Sequence, residues 1–240
     1  MRTATELVGK TSLALALAAI GAGSAHATVT GYTDFDEFQT ALGQAGLAAQ
    51  FHNFDVDSNG DPLPQGVISA SDTINDITFQ AFVIGDGNGG TASGISPYLS
   101  GQDAINVGTT PLSGDNQIAS TDAANAYQFL DGTSFIFEMP STQAFGLYVL
   151  SAEQLVPGDF QLEFAGLTQD NGTTAPQGFD YFIGVIDTDV AHISAVFTAP
   201  SNLDFDPLFT LDNFVTAAPL PATPLLTLLG LGMLAWTRRR

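Results

Sequence analysis

From residue 11 to residue 237 the chain contains no lysine and no arginine. Its five basic residues, Arg2, Lys10, Arg238, Arg239 and Arg240, all sit at the two ends. Of the 25 acidic residues only Glu6 lies outside that span, which leaves 24 within it. Whatever folds between the ends must do so without ordinary salt bridges. Apolar burial and hydrogen bonding have to supply the cohesion while like charges repel one another. His52 and His192 are the only basic side chains between residues 28 and 216. Phosphate clamping and nucleic-acid tracking need Arg or Lys, so nucleic acid is excluded as a partner. Two readings of the acid stay open: a solubilising coat, or carboxylates that hold divalent cations. Cysteine is absent, which excludes disulfides, thiolate metal sites and cysteine catalysis.

Residues 1–27 and 217–240 read as targeting segments, so the folding unit is expected to be residues 28–216, enough for one β-sandwich with a core. Its pattern is mostly period two. Phe135, Phe137 and Met139 alternate with Ser134, Ile136 and Glu138; Phe160, Leu162 and Phe164 alternate with Gln161 and Glu163; Ile193, Ala195 and Phe197 alternate with His192, Ser194 and Val196. Further strands are expected at 50–54, 66–71, 77–84, 104–108, 126–130, 143–150, 178–186 and 207–215. Thr33 is the expected N-cap of one short helix, with Phe35, Phe38, Ala41 and Leu42 on one face and Gly46 at its end. Ile84–Gly101 is rich in Gly and Ser and reads as a long surface loop. The fold class expected is all-β, an antiparallel sandwich or jelly roll with one N-terminal helix, flanked by a signal peptide and a C-terminal transmembrane sorting helix.

The N-terminus has Arg2 and Lys10, then an apolar run from Leu13 to Gly23, then Ser24-Ala25-His26-Ala27. Ala25 and Ala27 fit the small-x-small cleavage rule of a signal peptide, which makes Thr28 the expected mature N-terminus. At the other end, residues 213–237 carry no charge and are followed by Arg238, Arg239 and Arg240. That stretch is long enough to cross a bilayer, with Trp236 at an interface and the arginines on the cytoplasmic side. Pro219-Leu220-Pro221-Ala222-Thr223, the apolar run Leu225–Trp236 and the terminal arginines together resemble the PEP-CTERM sorting signal in its VPLPA variant, with Ala218 where that variant has Val. The resemblance implies export in a bacterium that makes extracellular polysaccharide and processing by an exosortase-type protease, so the protein would sit in the inner membrane first and on the cell surface or outside it later. Leu220-Pro221-Ala222-Thr223 also fits the sortase pattern L-P-x-T. Against that reading, Pro224 stands where Gly is required and no wall-spanning spacer precedes the motif.

The order of short pieces, Phe51–Asp55, Gly66 with Ile77–Phe79, Ala144–Tyr148, Phe182–Val185 and Phe209–Phe214, is similar to ectodomains found ahead of this tail. Many of those look like carbohydrate-binding jelly rolls in which an acidic residue of the last strand helps to hold a structural calcium. Asp212 stands in that context. Independently, Asp55-Val-Asp57-Ser-Asn59-Gly60-Asp61 matches the first seven positions of a calcium loop, although Gly66 occupies the place of the bidentate Glu. An ion-free Asp/Asn/Gly hairpin is the competing reading. Asp86-Gly-Asn-Gly-Gly90 occurs once and reads as a flexible loop. Glu138, Glu153 and Glu163 read as solvated acids rather than a glycosidase pair, His52 and His192 as half-exposed strand histidines, and no nucleophile elbow is present. The expectation is a non-enzymatic exported protein associated with extracellular polysaccharide, with structural Ca²⁺ as its one cofactor. A secreted polysaccharide hydrolase and a structural or adhesive protein without a sugar site are the alternatives, and Tyr98, Tyr127, Tyr148 and Tyr181 are the aromatics to inspect for a sugar platform.

Overall fold

The structure is a computed structural model of the chain, and it describes residues 28–57, 59–100, 116–125, 127–151, 155–172, 179–201 and 208–219. The signal peptide with Ala25 and Ala27, the expected strand at 104–108, Glu153, Leu220–Thr223, the apolar tail and the three C-terminal arginines lie outside the described residues. Among the described residues no helix is long and apolar enough to cross a membrane.

The strands are β1 (Val29–Tyr32), β2 (Leu47–His52), β3 (Gly66–Val67), β4 (Asp72–Ile74), β5 (Ile77–Val83), β6 (Pro97–Ser100) and β7 (Gln117–Ser120), then β8 (Ser134–Thr142), β9 (Ala144–Ser151), β10 (Gln161–Phe164), β11 (Leu167–Asp170), β12 (Phe179–Asp187), β13 (His192–Thr198) and β14 (Phe209–Pro219). Helix α1 spans Phe35–Ala45. All pairings are antiparallel. One sheet runs β1-β12-β9-β14-β7-β6-β3, with β2 added to β14; the other runs β11-β10-β13-β8-β5-β4. The sheets face each other across a core in which phenylalanine is the commonest residue. Phe54 meets Phe214 edge-on at 5.0 Å, Phe214 meets Phe137 at 4.9 Å, and Phe137 meets Phe79 at 5.4 Å. Edge-to-face contacts of this kind add to the area the rings bury.

Helix α1 covers the outer face of the first sheet. Phe38 and Leu42 pack there with Leu47, Ala144, Tyr148, Phe182, Ile186 and Val215. Asp34, not Thr33, is the N-cap, because its carboxylate accepts from the Glu37 backbone at 2.9 Å. Gly46 ends the helix in the left-handed conformation, as its position requires. Covering by α1 explains why all eight residues of β9 are buried, in place of an alternating pattern. The helix sits close to the sheet because Gly146 and Gly184 face each other across β9 and β12. A Cβ on Gly184 would stand 2.7 Å from the Phe182 ring and 2.9 Å from Phe38.

Several expectations change. The stretch 84–101 is not one surface loop: it ends in β6, whose Pro97 and Leu99 are buried. Strand 66–71 shrinks to β3, and 126–130 to a single bridge at Phe129. Strands β4 and β11 were not anticipated; each is closed by a two-residue turn with positive φ, Asn75-Asp76 and Ala165-Gly166. Ile193 is exposed, unlike Ala195 and Phe197: it stands near the start of β13, where β8 carries extra residues between Glu138 and Thr142 and the register shifts. Finally, β14 continues three residues beyond the expected domain end at 216, to Pro219 paired with Leu47.

The packing under α1 generates a test. Gly184→Ala should destabilise the fold by about 1–3 kcal/mol, the usual range for overpacking. Urea denaturation followed by circular dichroism should show a lower midpoint with an unchanged slope. A midpoint equal to that of the parent would mean that α1 is not seated on this glycine pair.

Candidate functional site

A groove of about 780 Å³ opens at the edge of the sandwich where β3 and β4, the edge strands of the two sheets, separate. Three walls form it: Gln50–Asn53 at the end of β2, the segment Val56–Asp57 with Leu63–Ile68, and Asp72–Asp76 around the β4–β5 turn, with Leu99 also lining it. Phe51 is 46% exposed, an unusual state for a ring. Its ring meets Phe35 of α1 edge-on at 5.9 Å, and the groove is lined further by the carboxylates and amides of Asp57, Asp72, Asp76, Gln50, Asn53 and Gln65.

His52 locks these walls together. It is buried rather than half-exposed; Nδ1 donates to the Asn75 carbonyl at 2.6 Å, and Nε2 accepts from the Thr216 hydroxyl at 2.8 Å. One imidazole therefore ties β2 and β14 to the β4–β5 turn. Burial pushes its pKa down and keeps it neutral, which is the state this pair of bonds uses. Asn75 completes the brace, its amide donating to the carbonyls of Asn53 and Val56.

The proposed calcium loop forms one wall. Asp57 takes hydrogen bonds from the backbone of Asp61 at 3.0 Å and Asn59 at 2.8 Å, and from the Asn59 amide. Those bonds, from Asp61 first and Asn59 next, hold its carboxyl below the usual range. Asp55 points elsewhere and accepts from the Asn116 backbone at 2.9 Å, while the Asn116 amide returns to the Phe54 carbonyl. Asn59 and Asp61 are exposed. Asp212 is buried in β14, where its carboxylate accepts from Asn213 N at 2.7 Å and Asn213 Nδ2 at 3.1 Å. It holds a bulge at which Asn213 adopts φ 43° and β14 exchanges one neighbour for another, β7 at Leu211 and β2 from Phe214 onward. Asp212 and Asp55 thus both lie beside the start of β7. Among the described residues no three Asp, Glu or His side chains gather on one point, so an ion held by this loop would draw on backbone carbonyls and water as well.

Elsewhere the titratable groups are dispersed. Glu138 and Glu163 lie on the outer face of the second sheet, two strands apart, with Glu163 exposed. His192 is paired with Asp187 at 2.8 Å. Burial alone would raise Asp187, but the bonds from His192, Asp189 N and Val190 N outweigh it and hold the carboxyl low. The tyrosines do not form one platform: Tyr148 is buried under α1, Tyr98 and Tyr181 are half-buried, and only Tyr127 is well exposed. Phe51, which the sequence reading did not single out, is the exposed ring in the groove; its only signal was a phenylalanine at an outward position of β2.

Half-buried Asp180 stands near Tyr148. Burial raises Asp180 to about 6. Tyr148 is raised by burial and by Asp180, Asp36 and Asp34. No protein-family model matches the chain, and no relative was found among the curated proteins.

Asp180 yields a pH prediction. A carboxyl whose folded pKa exceeds its unfolded value binds its proton more readily when folded, so its charge disfavours the fold above pH 6, and that penalty fades as pH falls toward 4. His52 acts in the opposite direction, because its folded pKa is depressed and acidification through the usual histidine range favours unfolding. Both effects are separated by comparing Asp180→Asn with its parent, since they share His52. The variant should melt higher at pH 7.5, and the gap should narrow at pH 4.5. A gap independent of pH would show that Asp180 is an ordinary solvated carboxyl.

Proposed function

We propose that the chain is an exported, non-enzymatic surface or matrix protein that holds extracellular polysaccharide in the edge groove. The tail bearing Pro219–Thr223 and Arg238–Arg240 is read as its PEP-CTERM-type address, through which an exosortase-type protease moves it from the inner membrane to the cell surface or beyond. The groove is the observation that carries the binding reading. It is concave, mixes an exposed ring with amides and carboxylates, and is braced by His52 and Asn75. A sugar ring offers an apolar face to a phenylalanine and hydroxyls to acceptors and amides, the combination expected of a small-molecule site. The antiparallel sandwich accords with a jelly-roll carbohydrate module. The absence of Lys and Arg narrows the ligand: acidic glycans would be repelled, so the polysaccharide is neutral.

A glycan-array screen of residues 28–219, ending where β14 ends, should return neutral polysaccharides and not uronate-rich ones. Phe51→Ala should weaken the best hit about tenfold, equivalent to about 1.4 kcal/mol. Unaltered affinity in that variant, or no hit at all, would leave the structural or adhesive alternative.

Calcium enters the same reading as a structural ion at Asp57, Asn59 and Asp61, which Asp55 and Asp212 would join only by giving up their bonds to Asn116 and Asn213. Binding would stabilise the fold by about 2.7 kcal/mol at a hundredfold excess over Kd. In about 0.5 M NaCl, where charges are well screened, millimolar Ca²⁺ should raise the melting temperature more than Mg²⁺ does. Asp57→Ala should blunt that rise, and Asp170→Ala should not. Identical melting in Ca²⁺, Mg²⁺ and chelator would reduce these acids to a solubilising coat.

A further inference from the structure

The chain enters and leaves the sandwich at the same end. Val29, at the start of β1, pairs with Asp187; Ile186 pairs with Ala144, and Ala144 with Ala217. The first residues of β1 and the last of β14 therefore lie at one level, three strands apart. Beyond Ala217 the strand runs only to Pro219. Five residues, Leu220–Pro224, then separate the sheet from the apolar run Leu225–Trp236. Fully extended, five residues span at most ~18 Å. The sandwich itself is longer than its tether, since Phe209 to Ala217 alone covers about 26 Å of strand.

That end carries apolar side chains with nothing packed over them. Val190, in the turn between β12 and β13, is 51% exposed; Ile193, beside the pair His192–Thr142, is 60% exposed; and Val29 is 36% exposed. Ile193 stands near the start of β13 at the register shift between the pairs His192–Thr142 and Ser194–Glu138, and unlike Ala195 and Phe197 it is left uncovered.

We propose that this end of the sandwich, with Val190, Ile193 and Val29, rests on the lipid surface in which the tail is anchored. The proposal builds on the reading of residues 225–236 as a membrane segment. The short tether holds these side chains at the bilayer, where the high effective concentration makes a weak contact sufficient. Insertion of a few aliphatic groups at the headgroup boundary is favourable in proportion to the apolar area removed from water. Asp189, exposed in the same turn, opposes an anionic leaflet, so the partner is a zwitterionic surface.

The natural absence of cysteine makes the test direct. Full-length chains carrying Val190→Cys, Ile193→Cys or, as the control, Val156→Cys would be labelled with a fluorophore and reconstituted into phosphatidylcholine vesicles. Val156 is exposed in the segment between β9 and β10, at the opposite end. A quencher attached to lipid headgroups should quench labels at 190 and 193 several-fold more than the label at 156. Equal quenching at all three positions, in protein that floats with the vesicles, would overturn the docked end while leaving the anchor intact. Protein that does not float would remove the anchor and the proposal with it.

Discussion

The absence of internal cations decides how this protein uses its acids. Twenty of the 25 acidic residues are aspartate and only five are glutamate. With no lysine or arginine to meet, the aspartates meet the backbone. Asp34 caps α1; Asp57, Asp86, Asp122 and Asp187 each close a turn by accepting from an N–H two residues on; Asp72 and Asp159 accept from N–H groups three residues earlier. Asp55 reaches across to Asn116, and Asp212 holds the bulge in β14. The short side chain explains the preference, because only aspartate reaches N–H groups so near its own backbone. Each such bond removes an orphan donor and leaves the negative charge partly neutralised by an oriented dipole. The acid is thus structural in the loops even where it also makes the surface soluble.

Cohesion then falls to the phenylalanines. Twelve of them are among the largest fully buried side chains, and they connect both sheets through ring contacts rather than through polar links. Rings that large need compensating space, which explains why Gly146 and Gly184 lie opposite each other beneath Phe182 and Phe38. Charge and core are coupled in this way. A surface that contributes little cohesion demands a tightly filled interior, and a tightly filled interior tolerates few added atoms.

Much of the architecture was legible because it rests on local rules. Alternation revealed β8, β10 and most of β13, and the helix face was correct from Phe35 to Leu42. Misreadings arose where tertiary context set the pattern. β6 hid in a stretch whose glycines and serines suggested a loop, and nothing in the period-two pattern marks Ile193 as uncovered at the start of β13, whereas the strand expected at 143–150 is found as β9 although α1 leaves it no polar face. The helix start moved by one residue because Asp34 competes better than Thr33 for the Glu37 N–H. The groove was the least legible feature. Its walls come from residues 50–53, 56–57 with 63–68, and 72–76, and its brace joins His52 to Thr216 across 164 positions. Asp57 was singled out for its spacing alone, whereas Phe51 and Asn75 acquire their roles only once β2 and the β4–β5 turn stand side by side.

The position of β14 connects the fold to the tail. It pairs with β9 on one side and with β7 and then β2 on the other, so it is the interior strand on which the first sheet is assembled. It is also the last strand among the described residues, and Pro219 belongs at once to the sheet and to the motif read as the sorting signal. Its partners were made much earlier: β2 precedes it by about 160 residues and β9 by about 65. Closing such distant contacts comes late in folding. Until β14 arrives, β2 lacks its strand neighbour, His52 lacks Thr216, and the inner side of β9 has no pairing. Under the proposed export, with the N-terminus leading, the first sheet would be completed only after β14 had followed the other strands across. Under the proposed anchoring, that late strand would complete the first sheet next to the segment read as the membrane tail.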